Sequence, residues 1–110
     1  MKKLLIILLL TVACTFSAQS QIIVTHFNAE WNAPNNIEWV DKLSDCEVEK
    51  LDIGKAPELA QKHKVVVVPT IIVFQDGEES KRYQADLSFK IDATREEIQD
   101  YIDELIMSAF

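Results

Sequence analysis

Cysteine, glycine and cationic charge are all scarce in this chain, and each scarcity removes a class of function. Of its two cysteines, Cys14 lies in the leading apolar segment, so Cys46 is alone in the body of the chain. One thiol cannot close an internal bridge, and the domain must hold together by its core. Gly54 and Gly77 are the only glycines, and neither sits in a loop pattern that would cradle phosphate. The two histidines, His26 and His63, belong to separate segments and have no C-x-x-C or H-x-x-x-H companion, so no metal site is expected. The carboxylates are scattered along the chain, without the pairing that would argue for a general acid and base. Residues 21–110 keep all 18 acidic residues but only 9 of the 11 basic ones, a net charge near −9. That balance opposes nucleic-acid binding, which needs concentrated cationic surface, and adsorption to an anionic membrane. It suits a soluble surface kept monomeric by its own charge.

What the chain does have begins with a leader. Lys2 and Lys3 precede an almost unbroken apolar run, Leu4 to Val12, and a small-residue stretch, Ala13 to Ser20. This order reads as a secretory signal peptide over residues 1–20, too short for a comfortable membrane anchor. Cleavage after Ser20 places Ala18 three positions before the cut. The alternative is a lipid anchor on Cys14, which follows Val12-Ala13, although Thr11 stands where a large aliphatic residue is usual. Either way the product is exported, periplasmic or secreted. Residues 21–110 then suffice for one small domain.

Within that domain the elements alternate. Gln21 to Phe27 is apolar and β-branched enough for a central strand. After a polar stretch with Pro34, the residues Ile37, Val40 and Leu43 fall at helical spacing with Trp39 beside them, which predicts a short amphipathic helix over 33–43. Cys46 to Ile53 reads as a second strand and Lys55 to His63 as a brief helix begun by Pro57. The dense run Val65 to Val68 stops at Pro69, and Thr70 to Phe74 is a third strand. Asp76-Gly77 signals a hairpin, and the polar return, Glu79 to Ala85, suits a sheet edge. Leu87, Phe89 and Ile91 alternate and can add a short extended piece. Thr94 and Glu97 form a capping box for the last helix, whose stripe is Ile98, Tyr101, Ile102, Leu105 and Ile106. The strands joined through a helix must run parallel and the hairpin pair antiparallel, so an α/β fold with a four-stranded mixed sheet flanked by three helices is expected.

Phe27-Asn28-Ala29-Glu30-Trp31 followed by Asn32-Ala33-Pro34-Asn35 resembles the segment that carries the thioredoxin redox motif, usually FWAEW-CGPC. Leu51-Asp52-Ile53, Pro57, Val68-Pro69-Thr70 and the Asp76-Gly77 hairpin look like later thioredoxin landmarks, in order. The resemblance covers residues 21–110 and lacks the first strand and helix of full thioredoxins. It implies that the attacking and resolving cysteines fall on Asn32 and Asn35, the family's buried aspartate on His26, and the tryptophan before the Ala-Glu-Trp run on Asn28. A carboxamide forms no thiolate and cannot attack a disulfide, so a redox-inactive member with no catalytic residue and no cofactor is expected. Pro69 matches the family's cis proline, which would expose the backbone of Val68 to an extended peptide.

Three functional readings follow. The first is a binding module that holds an extended peptide or an exported protein through Trp31, Ala33, Pro34, Val68, Pro69 and Thr70. The second is a thiol-dependent oxidoreductase that uses Cys46 with a partner thiol; a lone cysteine at an apolar strand position is more often a small core residue. The third is an interaction domain with no active groove, acting through the edge strand Glu79 to Ala85 or the acidic last helix.

Overall fold

The computed structural model describes residues 21–109. The proposed leader, Cys14 and Phe110 lie outside the described residues.

Two strands rich in β-branched residues take the centre of the sheet. β1 (Ile22–Asn28) and β3 (Thr70–Gln75) are buried on both faces over most of their length. β2 (Glu47–Asp52) and β4 (Glu78–Gln84) are rich in charged residues and form the edges. The order is β2-β1-β3-β4. β1 pairs with β2 in parallel, with Val24 opposite Val48 and His26 opposite Lys50. It pairs with β3 antiparallel, with Val24 opposite Val73 and His26 opposite Ile71. The β3–β4 hairpin turns on Asp76 and Gly77, both at positive φ (52° and 85°), as the twist of a two-residue hairpin turn requires.

The expected α/β architecture, a mixed four-stranded sheet flanked by helices, is the one that forms. α1 (Pro57–Lys62) has its proline in the first turn, where the missing N–H costs nothing. His63, just after it, packs between the rings of Phe27 and Phe74, at centroid distances of 6.1 and 4.9 Å. α2 (Arg95–Ser108) starts where Thr94 Oγ1 accepts the Glu97 N–H at 3.2 Å. Its stripe meets the opposite sheet face, where Val24, Val40, Ile71, Val73, Ile98 and Ile102 are wholly buried. Each such side chain contributes about 1.5–3 kcal/mol by leaving water.

Two expectations are corrected. The helix predicted over 33–43 is two 3₁₀ segments, η1 (Glu30–Asn35) and η2 (Glu38–Lys42), with extended backbone at Asn36 (ψ 139°) between them. Apolar spacing fixed which side chains face the core, and Val40 and Leu43 are buried. The continuous helix is lost because Asn28 and His26 of β1 bond to Asn36 and Ile37 at the break. The alternation of Leu87, Phe89 and Ile91 produces no strand. Instead the Asp86 N–H donates to the Lys90 carbonyl at 3.0 Å and the Phe89 N–H to the Asp86 carbonyl at 3.1 Å, closing a tight loop.

Candidate functional site

The even-numbered residues of β1 share one face of the strand. Ile22 and Val24 belong to the apolar core, but His26 and Asn28 are polar and both only 4% exposed. Burying such groups is tolerable only with partners, and η1 supplies them. Asn28 Nδ2 donates to the Asn32 carbonyl at 3.1 Å and also to Asn36 Oδ1. Asn32 Nδ2 donates back to Asn28 Oδ1 at 3.0 Å and reaches the Val68 carbonyl at 3.4 Å. Asn35 Nδ2 donates to Asn32 Oδ1 at 2.8 Å. Four carboxamides thus satisfy one another, because each offers two donors and an acceptor.

His26 serves the same segment differently. Its Nε2 accepts the Ile37 N–H at 3.1 Å. Burial, and then the neighbouring Lys50 ammonium, hold its pKa below the ordinary 6.5. A cavity of about 510 Å³ opens beside it, lined among others by Asn28, Glu30, Asn36, Lys50 and Asp52.

The residues singled out from sequence divide into two groups. Trp31, Ala33 and Pro34 are exposed, Trp31 at 66%, while Val68, Pro69 and Thr70 are buried. Asn32 is buried and Asn35 half-buried. The Val68–Pro69 bond is cis. The Asn32–Val68 contact joins the two groups. The Val68 N–H has no hydrogen-bond partner among the described residues. Thr70 Oγ1 donates to the Val67 carbonyl at 2.6 Å, which fixes the start of β3.

Sequence reasoning read Leu87 and Phe89 as part of an extended piece and gave Phe89 no role at the site. The structure packs the Phe89 ring edge-on to Trp31, with centroids 5.4 Å apart, and leaves Leu87 fully exposed. Phe89 has φ 63°, a conformation that a bulky residue adopts only where its surroundings impose it. The loop is tied by the Ser88 N–H, which donates to Asp86 Oδ1 at 2.8 Å. The bonds from Ser88 hold the Asp86 carboxyl below its usual pKa. The available signal was two large apolar residues stranded in an otherwise polar connection.

Cys46 lies apart from this surface. It is half-buried against the core beside Val48, ahead of β2, and burial followed by the adjacent Asp45 charge pushes its thiol pKa up. Less thiolate means less nucleophile. Among the described residues no three His, Cys, Asp or Glu side chains converge as metal ligands.

The family model described as Thioredoxin matches residues 14–104. Thioredoxin of Mycoplasma genitalium is 32% identical over 73 residues, which cover 61% of this chain and 71% of that protein. Thioredoxin-1 of Saccharomyces cerevisiae is 31% identical over 68 residues, 56% of this chain and 66% of its own. Other matches are narrower: the stretch shared with Thioredoxin-2 of Pyricularia oryzae, 37% identical over 42% of this chain, spans 27% of that protein's length. Among solved structures, the N21Q mutant thioredoxin from Halobacterium salinarum superposes with a TM-score of 0.62 at 22% identity, covering 76% of this chain and 74% of that one.

Proposed function

The chain belongs to the thioredoxin family, and from that premise we propose that it is a redox-inactive, exported member whose surface around Trp31 holds an extended peptide without covalent capture. The single observation that carries this reading is the exposed pair Trp31 and Phe89 standing over a segment tied to Val68, whose N–H has no partner among the described residues. An aromatic wall beside a free strand-like donor suits an extended chain, which brings a carbonyl to the N–H and a side chain to the rings. The loss of redox chemistry rests on Asn32 and Asn35 at the positions of the family's two sulfurs. Neither amide ionises to a nucleophile, and dithiol exchange needs one thiolate to open the disulfide and a second to resolve it. Export rests on the leader pattern of residues 1–20, with lipidation at Cys14 as the alternative route to the same side of a membrane.

The test is a titration of isotope-labelled protein with unfolded or extended peptides. Shifts centred on the Trp31 indole and the Val68 amide support the groove, and none there rejects it. A disulfide-reduction assay run beside the N32C/N35C double variant addresses the chemistry. Activity confined to the variant is expected; turnover by the unaltered chain would overturn the redox claim and turn attention to Cys46.

A second reading places the role on another surface, the polar edge β4 or the acidic α2. It is favoured by the burial of the Val68, Pro69 and Thr70 side chains. Peptide-induced shifts confined to β4 or α2 would make it the better account.

A further inference from the structure

Among the described residues, His26 is the only histidine, carboxylate or amine that is buried. Its position is specific: Ile37 stands between η1 and η2, outside both, with φ −90° and ψ 89°. The Ile37 N–H therefore has no carbonyl of its own helical segment to bond, and His26 Nε2 takes it. An imidazole nitrogen accepts only while it carries no proton, so this contact requires the neutral ring with its hydrogen on Nδ1. A proton at Nε2 sets donor against donor.

We infer that His26 is an acid-operated latch on the segment that bears Trp31: neutral, it clasps the junction of η1 and η2 onto β1, and protonated, it releases it. Two features favour the release and limit it. Lys50 lies directly opposite His26 in the β1–β2 register and lines the same cavity, so a second cation on the ring is repelled. Asn28 holds Asn32 and Asn36 through amide bonds that do not titrate, so release loosens the junction without dissolving the motif segment. The charged groups around the ring are Lys50 and Asp52 on β2, Glu30 on η1, and Glu38 and Asp41 on η2. β3 presents the apolar Ile71. The ring's hydrogen bond to its own backbone and, less strongly, Asp41 favour the protonated ring, but burial and Lys50 outweigh them and move its titration below the ordinary 6.5. The biological use of the latch, tuning the grip on a peptide, rests on the groove reading; the latch itself does not.

Nuclear magnetic resonance on labelled protein tests it without any peptide. The His26 imidazole nitrogens, the Ile37 amide and the Trp31 indole are expected to titrate with one shared midpoint. Across it, the Ile37 amide should exchange with solvent about five- to tenfold faster, the worth of one hydrogen bond. His26→Gln supplies an amide oxygen that can accept the same N–H but takes up no proton, so Ile37 and Trp31 should stay flat between about pH 7.5 and 5. Movement of Ile37 that survives in His26→Gln, or an Ile37 that ignores the His26 titration, overturns the latch. Should His26→Gln fail to fold, Lys50→Gln replaces it: loss of the ammonium moves all three midpoints up together, and midpoints that separate overturn the proposal. A latch that titrates in a protein blind to peptides rejects the groove and supports the latch. Peptide binding with Ile37 unmoved by pH rejects the latch and spares the groove.

Discussion

One face of one strand holds two regions built by different physics. Ile22 and Val24 of β1 lie in the apolar layer under α2, whereas His26 and Asn28, two and four residues further on, lie in a network of directed hydrogen bonds under η1. Apolar contact is non-directional and additive over area, so it fixes which layers meet and tolerates small shifts. A hydrogen bond fixes a particular atom, and it fails outright when its partner changes charge or is removed. The first region therefore makes the domain stable, and the second sets where Trp31 stands.

Breaking the apolar region should have the largest effect. Ile102→Ala opens a cavity in a fully buried site and should cost about 2–5 kcal/mol in denaturant unfolding. The Trp31 and Ile37 resonances of its folded fraction should be unchanged. If they move as far as those near α2, the two regions are not separable.

Breaking the directed region comes next. Asn28→Ala strips partners from Asn32 and Asn36 and should cost about 1–3 kcal/mol, with the spectral change concentrated over η1 and η2. A loss spread evenly over α2 would contradict the division drawn here.

Mild acid sharpens the contrast by acting on the directed region through His26. The folded pKa of His26 lies below its unfolded value of about 6.5, so the unfolded chain binds more protons in the interval between them. Stability from this group is whole above pH 6.5 and is lost as pH falls through the lower folded value. Wild type and Ile102→Ala should share this acid-dependent component, and His26→Gln should lack it. The loss should be smaller than that of Asn28→Ala, since a single bond is at stake. Equal slopes in all three proteins would remove His26 from the account.

The smallest effect belongs to the rim. Lys50 and Asp41 form an ion pair with side chains 49% and 59% exposed, and Asp41→Asn should change stability by less than about 1 kcal/mol at moderate salt. A larger change would mean that the pair helps to position η2 against β2.

Much of the fold was legible because its signals are local. The β-branched runs of β1 and β3, the Asp76-Gly77 turn, the polar β4 and the Thr94 cap each appear within a few consecutive residues, and each formed as an element. The spacing of Ile37, Val40 and Leu43 identified an inward face but not its backbone, because a break that keeps the same side chains inward leaves the pattern intact. The site was less legible. Trp31, Asn32 and Asn35 were found through resemblance to the thioredoxin motif, while Asn36 and Phe89 were missed, since their partners come from other elements.

The sequence alone determined the order of the strands and helical segments, the polar edge at β4 and the absence of sulfur at 32 and 35, because periodicity, turn chemistry and residue identity are properties of adjacent positions. Only the tertiary structure decided that the motif segment would split at Asn36, that Phe89 would back Trp31, and that the His26 ring would accept the Ile37 N–H. Those outcomes depend on which donor meets which acceptor after distant segments are brought together, and a buried polar group takes whatever partner the packing of the other layers leaves within reach.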